Sequence, residues 1–147
     1  MKRKITETLA LGTFIKLMRA SESVAERSFR HLGARGITPS QFAVMEALLH
    51  KGALTQTELA RKILRTSGNM TMVIDNLEKA GLVCRERSSE DRRAVFVSLT
   101  RKGDVLIRKV FPAHAKEVKA QMEVLSAEEL DQLGRLCKKL GLQEDTG

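Results

Sequence analysis

The chain has 147 residues, 42% of them hydrophobic and 30% charged, which is the composition of one folded domain or of a small domain with added helices. It carries a net charge of +8, has no Trp or Tyr and only five Phe. These values exclude a disordered chain, argue against the aromatic stacking platforms of single-strand binders, and point to a polyanionic partner. The basic excess is uneven: net +5 over residues 1–54, +5 over 55–109 and −2 over 110–147.

Residues 5–32 read as one long helix. Ile5, Leu9, Phe14, Ile15, Met18, Val24 and Phe29 fall on more than one face, so the helix must be covered from several sides, which in so small a chain implies a second subunit. Gly33 and Gly36 end it. Thr38-Pro39-Ser40-Gln41 is a capping box with Pro at the first helical position, followed by an apolar face of Phe42, Met45, Leu48 and Leu49.

Thr55-Gln56-Thr57-Glu58 is a second capping box, opening a short helix with Leu59, Ala60 and Ile63 inside. After a brief turn at Leu64-Arg65-Thr66, a further helix starts at Thr66 or Ser67 and runs to Ala80, closed by Gly81. Met70, Val73, Ile74 and Leu77 share one arc of it. Two helices joined in this way form a helix-turn-helix.

The period then changes to two. Residues 82–87 and 94–99 read as strands around the polar loop 88–93, making a β-hairpin. Thr100 caps the next helix, which Pro112 is expected to kink or briefly break. Ser126-Ala127-Glu128-Glu129 is a third capping box. It starts a last helix with Leu130, Leu133, Leu136, Cys137 and Leu140 in a stripe, and residues 143–147 are expected to fray. The fold class is therefore mainly α with a small β-hairpin wing. A winged helix-turn-helix lobe at 37–100 lies between helical dimerisation segments at 1–36 and 101–147.

In such a lobe the second helix enters the major groove, where every base pair shows a distinct hydrogen-bonding pattern. The arc opposite the core carries Gly68, Thr71, Met72, Asp75, Asn76 and Lys79. Thr66, Ser67 and Asn69 add polar groups at a helix start whose N–H groups suit phosphate. Thr71 and Asn76 suit base edges and Met72 a thymine methyl. Asp75 is awkward near DNA and is expected to pair with an arginine or to avoid the groove. At the hairpin tip Arg92 and Arg93 suit a narrow minor groove, with Asp91 holding one guanidinium. Arg61, Lys62, Arg65, Arg85 and Arg87 are placed to reach phosphates, which fix position without reading sequence.

The run Thr66-Ser67-Gly68-Asn69-Met70-Thr71, the segment Leu77 to Val83, and Asp91-Arg92-Arg93 through Val97-Ser98-Leu99-Thr100-Arg101-Lys102-Gly103 together resemble the MarR family of bacterial transcription regulators. The resemblance covers nearly the whole chain. It implies a homodimer with interlocked terminal helices, whose two lobes bind a pseudo-palindromic double-stranded operator, acting as a repressor. It also implies an effector crevice between the dimer helices and each lobe, taking small aromatic compounds. Met18 and Met45 are candidate lining residues, with plain core packing the alternative. Relatives that sense oxidants use a cysteine in the first helix, and residues 5–32 contain none.

The two cysteines, Cys84 and Cys137, read as small buried hydrophobes. His31, His50 and His114 are scattered without metal-ligand spacing, so no metal is expected. No cofactor motif is present: G-x-G-x-x-G, the P-loop, G-x-S-x-G, H-E-x-x-H and C-x-x-C are all absent, and an enzyme is not expected. Glu7 and Lys16 interrupt the segment a signal peptide would need to be apolar, and no membrane span is present, so the expected location is cytoplasmic. The competing reading is a winged-helix module that uses the same surface on protein partners.

Overall fold

A computed structural model describes residues 2–63, 67–91 and 93–143, with Ser67 and Gly68 described by their backbone alone. Among the described residues the elements run α1 (Glu7–Gly33), α2 (Pro39–Lys51), β1 (Leu54–Thr55), α3 (Gln56–Lys62), α4 (Ser67–Lys79), β2 (Val83–Arg87), β3 (Val95–Leu99), α5 (Arg101–Met122) and α6 (Ala127–Gly141). All three capping boxes form, with Thr38, Thr55 and Ser126 each accepting from the backbone N–H three residues on.

One compact unit spans Phe29–His114. Its core contains Leu32 of α1, Phe42, Met45 and Leu48 of α2, Leu59 of α3, Met70, Ile74 and Leu77 of α4, Val83, Val97, and Ile107 and Val110 of α5. Met70, Ile74 and Leu77 are fully buried, and each contributes roughly 1.5–3 kcal/mol to holding α4 in place. The core thus draws in the end of α1 and the first half of α5 as well as the helix-turn-helix.

The sheet has the order β1-β3-β2, antiparallel throughout, with Leu54 opposite Val97 and Arg85 opposite Val97 from the other side. The two-residue β1 is an addition to the expected hairpin. It is too short to show an alternation of its own, and it forms because the chain entering the Thr55 cap runs beside β3.

α4 ends in a Schellman motif. The Leu82 N–H donates to Leu77 O and the Gly81 N–H to Glu78 O, with Gly81 at φ 74°. The start of α5 locks onto this turn: Thr100 Oγ1 donates to Gly81 O, Thr100 N to Leu82 O, and Lys102 Nζ to Ala80 O. Gly103 lies so close that an added Cβ would stand 2.0 Å from the Leu82 carbonyl oxygen. The Leu-Thr-x-Lys-Gly sequence is therefore a docking device that sets the wing behind α4.

α5 runs unbroken through Pro112, so of the expected kink or brief break the break does not occur. Proline removes one N–H bond but leaves the turns on either side intact, and Val110 and His114 bury themselves on one face across it.

The second compact unit comprises the residues up to Ser28 with those from Ala115 onward. Arg27 Nη1 donates to Ser23 Oγ at 2.6 Å and Arg27 Nε to Gln121 Oε1. Its apolar groups are mostly uncovered: Leu11, Phe14, Leu136 and Leu140 are all more than half exposed, and no residue of α6 is buried. Ile5, Leu9, Phe14, Leu17 and Leu140 line an apolar groove. Cys137, expected to be buried, is exposed, as are Leu133, Leu136 and Leu140 of the same stripe, because the described chain covers that stripe only in part. Among the described residues no helix is long and apolar enough to cross a membrane.

Candidate nucleic-acid interface

The face of α4 opposite its core stripe is open. Asn69, Thr71, Asn76 and Lys79 are exposed, and Met72 keeps 59% of its surface. Thr71 is engaged by a neighbour: Gln56 Nε2, at the first turn of α3, donates to Thr71 Oγ1. Gln56 has no place in the sequence-based set. No spacing rule links it to a residue fifteen positions on, and only the crossing of α3 and α4 brings them together.

Asp75 behaves as its awkward position demanded. Its Oδ1 accepts from Arg85 Nη2 at 2.6 Å, while Arg85 Nη1 donates to Glu78 Oε1 at 3.2 Å. Arg85, only 23% exposed, thus joins β2 to α4 through two carboxylates. Arg87, two residues along the strand, is exposed, as are Arg61 and Lys62 at the end of α3.

The wing tip is held by its own polar groups. Ser88 Oγ accepts from the Glu90 and Asp91 N–H groups, and Asp91 Oδ1 accepts from the Arg93 backbone N–H at 3.0 Å. The Asp91 carboxylate closes a turn on the backbone, and the expected hold on a guanidinium falls in part on Arg92, which lies outside the described residues. An Asx turn needs only a donor two residues on, and this is available without ordering a long side chain. Arg93 is left exposed at the tip. Asp91 and Arg93 also border a groove with Thr55, Gln56 and Thr57, so the wing tip and the first turn of α3 share one surface. Arg65, Thr66 and Arg92 lie outside the described residues, as does the side chain of Ser67.

The two candidate crevice residues fare differently. Met45 is fully buried in the lobe core, while Met18 is 45% exposed on α1. Cys84 is half-buried with Sγ 3.3 Å from Ser98 Oγ. The histidines are less scattered in space than in sequence. His31 Nε2 lies 3.0 Å from His114 Nδ1, and the buried His114 ring packs against Phe29 and Phe42. Among the described residues no group of three or more His, Cys, Asp or Glu side chains is arranged to hold a metal ion.

The MarR family model matches residues 37–95, the helix-turn-helix and most of the wing. The chain is 39% identical over 133 residues to the HTH-type transcriptional regulator MhqR of Bacillus subtilis, covering 90% of this chain and 92% of that one. It is similar in structure to a MarR family transcriptional regulator from Streptomyces coelicolor solved in complex with DNA. That match has a TM-score of 0.86 and 25% identity, over 99% of this chain and 94% of the other. A MarR family protein from Bacillus stearothermophilus matches with a TM-score of 0.72 and 28% identity, over 94% and 96%. With the recognition-type helix, the three-stranded wing and the Thr100–Gly103 dock already in place, these likenesses make the chain a member of the MarR family of HTH-type transcriptional regulators.

Proposed function

We propose that the protein is a homodimeric, sequence-specific double-stranded DNA-binding repressor that acts in the cytoplasm on a pseudo-palindromic operator. Residues 37–100 are its DNA-binding lobe, and the segments 1–36 and 101–147 its dimerisation region. The observation that carries this reading is the pairing of an open polar face on α4 with a rigidly turned, arginine-bearing wing docked directly behind it.

Each group has a role in the proposed complex. Met72 and Asn76, with Thr71 at the edge, meet base edges in the major groove. Thr66, Ser67, Gly68 and Asn69 bring the α4 N-terminus and its N–H groups to a phosphate. Arg65 and Arg87 reach the backbone on either side. Arg92 and Arg93 enter the adjacent minor groove, and Asp91 shapes the turn that presents them. The open apolar surface of Phe14, Leu136 and Leu140 supports the dimer, since a monomer would leave it in water. Release by a small aromatic effector is part of the proposal and rests on family membership alone.

The test is binding of the full-length protein to operator-containing and shuffled duplexes across a salt series. Steep loss of affinity as salt rises, with a preference for one duplex, is expected. Absence of salt-dependent duplex binding would overturn the proposal in favour of a protein-binding module.

A further inference from the structure

Arg85 stands on a strand behind the reading face, where a cation is easily taken for a phosphate ligand. Its contacts argue otherwise. Both ends of the guanidinium are engaged, by Asp75 at 2.6 Å and Glu78 at 3.2 Å, and less than a quarter of the side chain meets solvent. Reaching a phosphate would break two charge-assisted bonds and leave two carboxylates unpaired beside the DNA backbone. The positions of its partners matter as much. At 100° per residue, Thr71, Asp75 and Glu78 fall within about 60° of one another on α4, in a stripe between the buried arc and the stripe of Met72, Asn76 and Lys79. Every one of the three is held from another element: Thr71 by Gln56 of α3, Asp75 and Glu78 by Arg85 of β2.

We propose that Arg85 is a positioning residue and not a phosphate contact. It clamps the flank of α4 to the wing, fixing the rotation of the helix about its axis and hence which side chains meet the bases, and it neutralises two carboxylates that would otherwise repel the duplex. The inference rests on the DNA-binding reading and assigns a division of labour within that site. One flank of α4 is the held edge and the next stripe is the reading edge. A guanidinium suits this role because its planar fork reaches two separate carboxylates in a fixed geometry, which an ammonium on a flexible stem does not.

The experiment measures binding of full-length wild type, Arg85→Gln, Arg85→Lys and Asp75→Asn to two duplexes over a salt series. One duplex is the best binder selected from a random-sequence pool, the other a shuffled sequence of equal length. Wild type must first bind in a salt-dependent manner; if it does not, the DNA-binding reading fails, independently of the role of Arg85. Given that binding, Arg85→Gln is expected to cut the selected-to-shuffled affinity ratio roughly tenfold, on top of a uniform, salt-screened loss from the two uncovered carboxylates. Arg85→Lys is expected not to restore the ratio. Asp75→Asn is the decisive variant, because it keeps the arginine and removes a negative charge. A clamp predicts that it too lowers the ratio, whereas a phosphate-binding Arg85, freed from its partner, predicts tighter binding to both duplexes. The proposal is overturned if Arg85→Gln weakens both duplexes equally with a slope shallower by about 0.9 per bound lobe. It is also overturned if Asp75→Asn binds both duplexes more tightly with its ratio intact.

Discussion

Gly103→Ala isolates the dock between the recognition helix and the wing. Ala is the better helix former, by about 1 kcal/mol, so on propensity alone the change in α5 would stabilise the protein. The tertiary structure reverses the sign. The new Cβ would lie 2.0 Å from Leu82 O and 2.9 Å from its carbonyl carbon, where ordinary contact begins at 3.4 Å. The atoms it meets belong to the backbone, so they cannot turn aside as a side chain would. Leu82 is held by its own N–H bond to Leu77 O and accepts from Thr100 N at 3.1 Å. Retreat by more than an ångström sacrifices that bond, worth about 1 kcal/mol, and disturbs the packing of Leu82 and Val83, at about 1–3 kcal/mol. Set against the propensity gain, the net loss is about 2 kcal/mol, or a Tm lower by about 5–10 °C. Thermal melts at one fixed protein concentration measure it, with the neighbouring exposed Lys102→Ala as the control. Lys102→Ala loses only the bond to Ala80 O and should fall by no more than about 1 kcal/mol. A Gly103→Ala protein melting at or above wild type would refute the reasoning.

Arg93→Ala, and separately Arg92→Ala, should weaken operator binding by roughly tenfold without lowering Tm, as seen by fluorescence anisotropy; unchanged affinity in both removes the wing tip from the interface. Asn76→Ala should flatten base preference at one operator position, at a cost of about 1–3 kcal/mol there, more than it changes binding to shuffled DNA. A uniform loss over all operator variants would mean that the reading face is wrongly assigned. Thr55→Ala removes a capping box that forms in full and should cost about 1 kcal/mol in denaturant unfolding. Sedimentation at micromolar concentration should find a dimer, and Phe14→Glu or Leu140→Glu should dissociate it; a stable wild-type monomer would leave the apolar groove unexplained.

What was legible from the sequence is what depends on near neighbours. A capping box is complete within four residues, so Thr38, Thr55 and Ser126 announce their helices without help from the rest of the chain. The period of Met70, Ile74 and Leu77 likewise names the buried side of α4, and with it the open side, because both follow from one helical angle. The awkwardness of Asp75 was also readable, since an unpaired carboxylate on that face is costly wherever the wing lies. The partner, however, was not: Arg85 and Arg87 lie on the same face of β2, and only the packing of that strand on α4 decides which one reaches the carboxylates.

The tertiary structure alone decided the contacts whose members are far apart in the chain. These are Gln56 on Thr71, Gly103 against Leu82, and His31 beside His114 across 83 positions. It also decided the third strand, and the reach of the lobe core into α1 and α5. The physical reason is range. Caps, turns and helical faces are settled by energies acting within a few residues. Which flank of a helix is held, and by what, depends on burying apolar surface between segments that no local pattern relates.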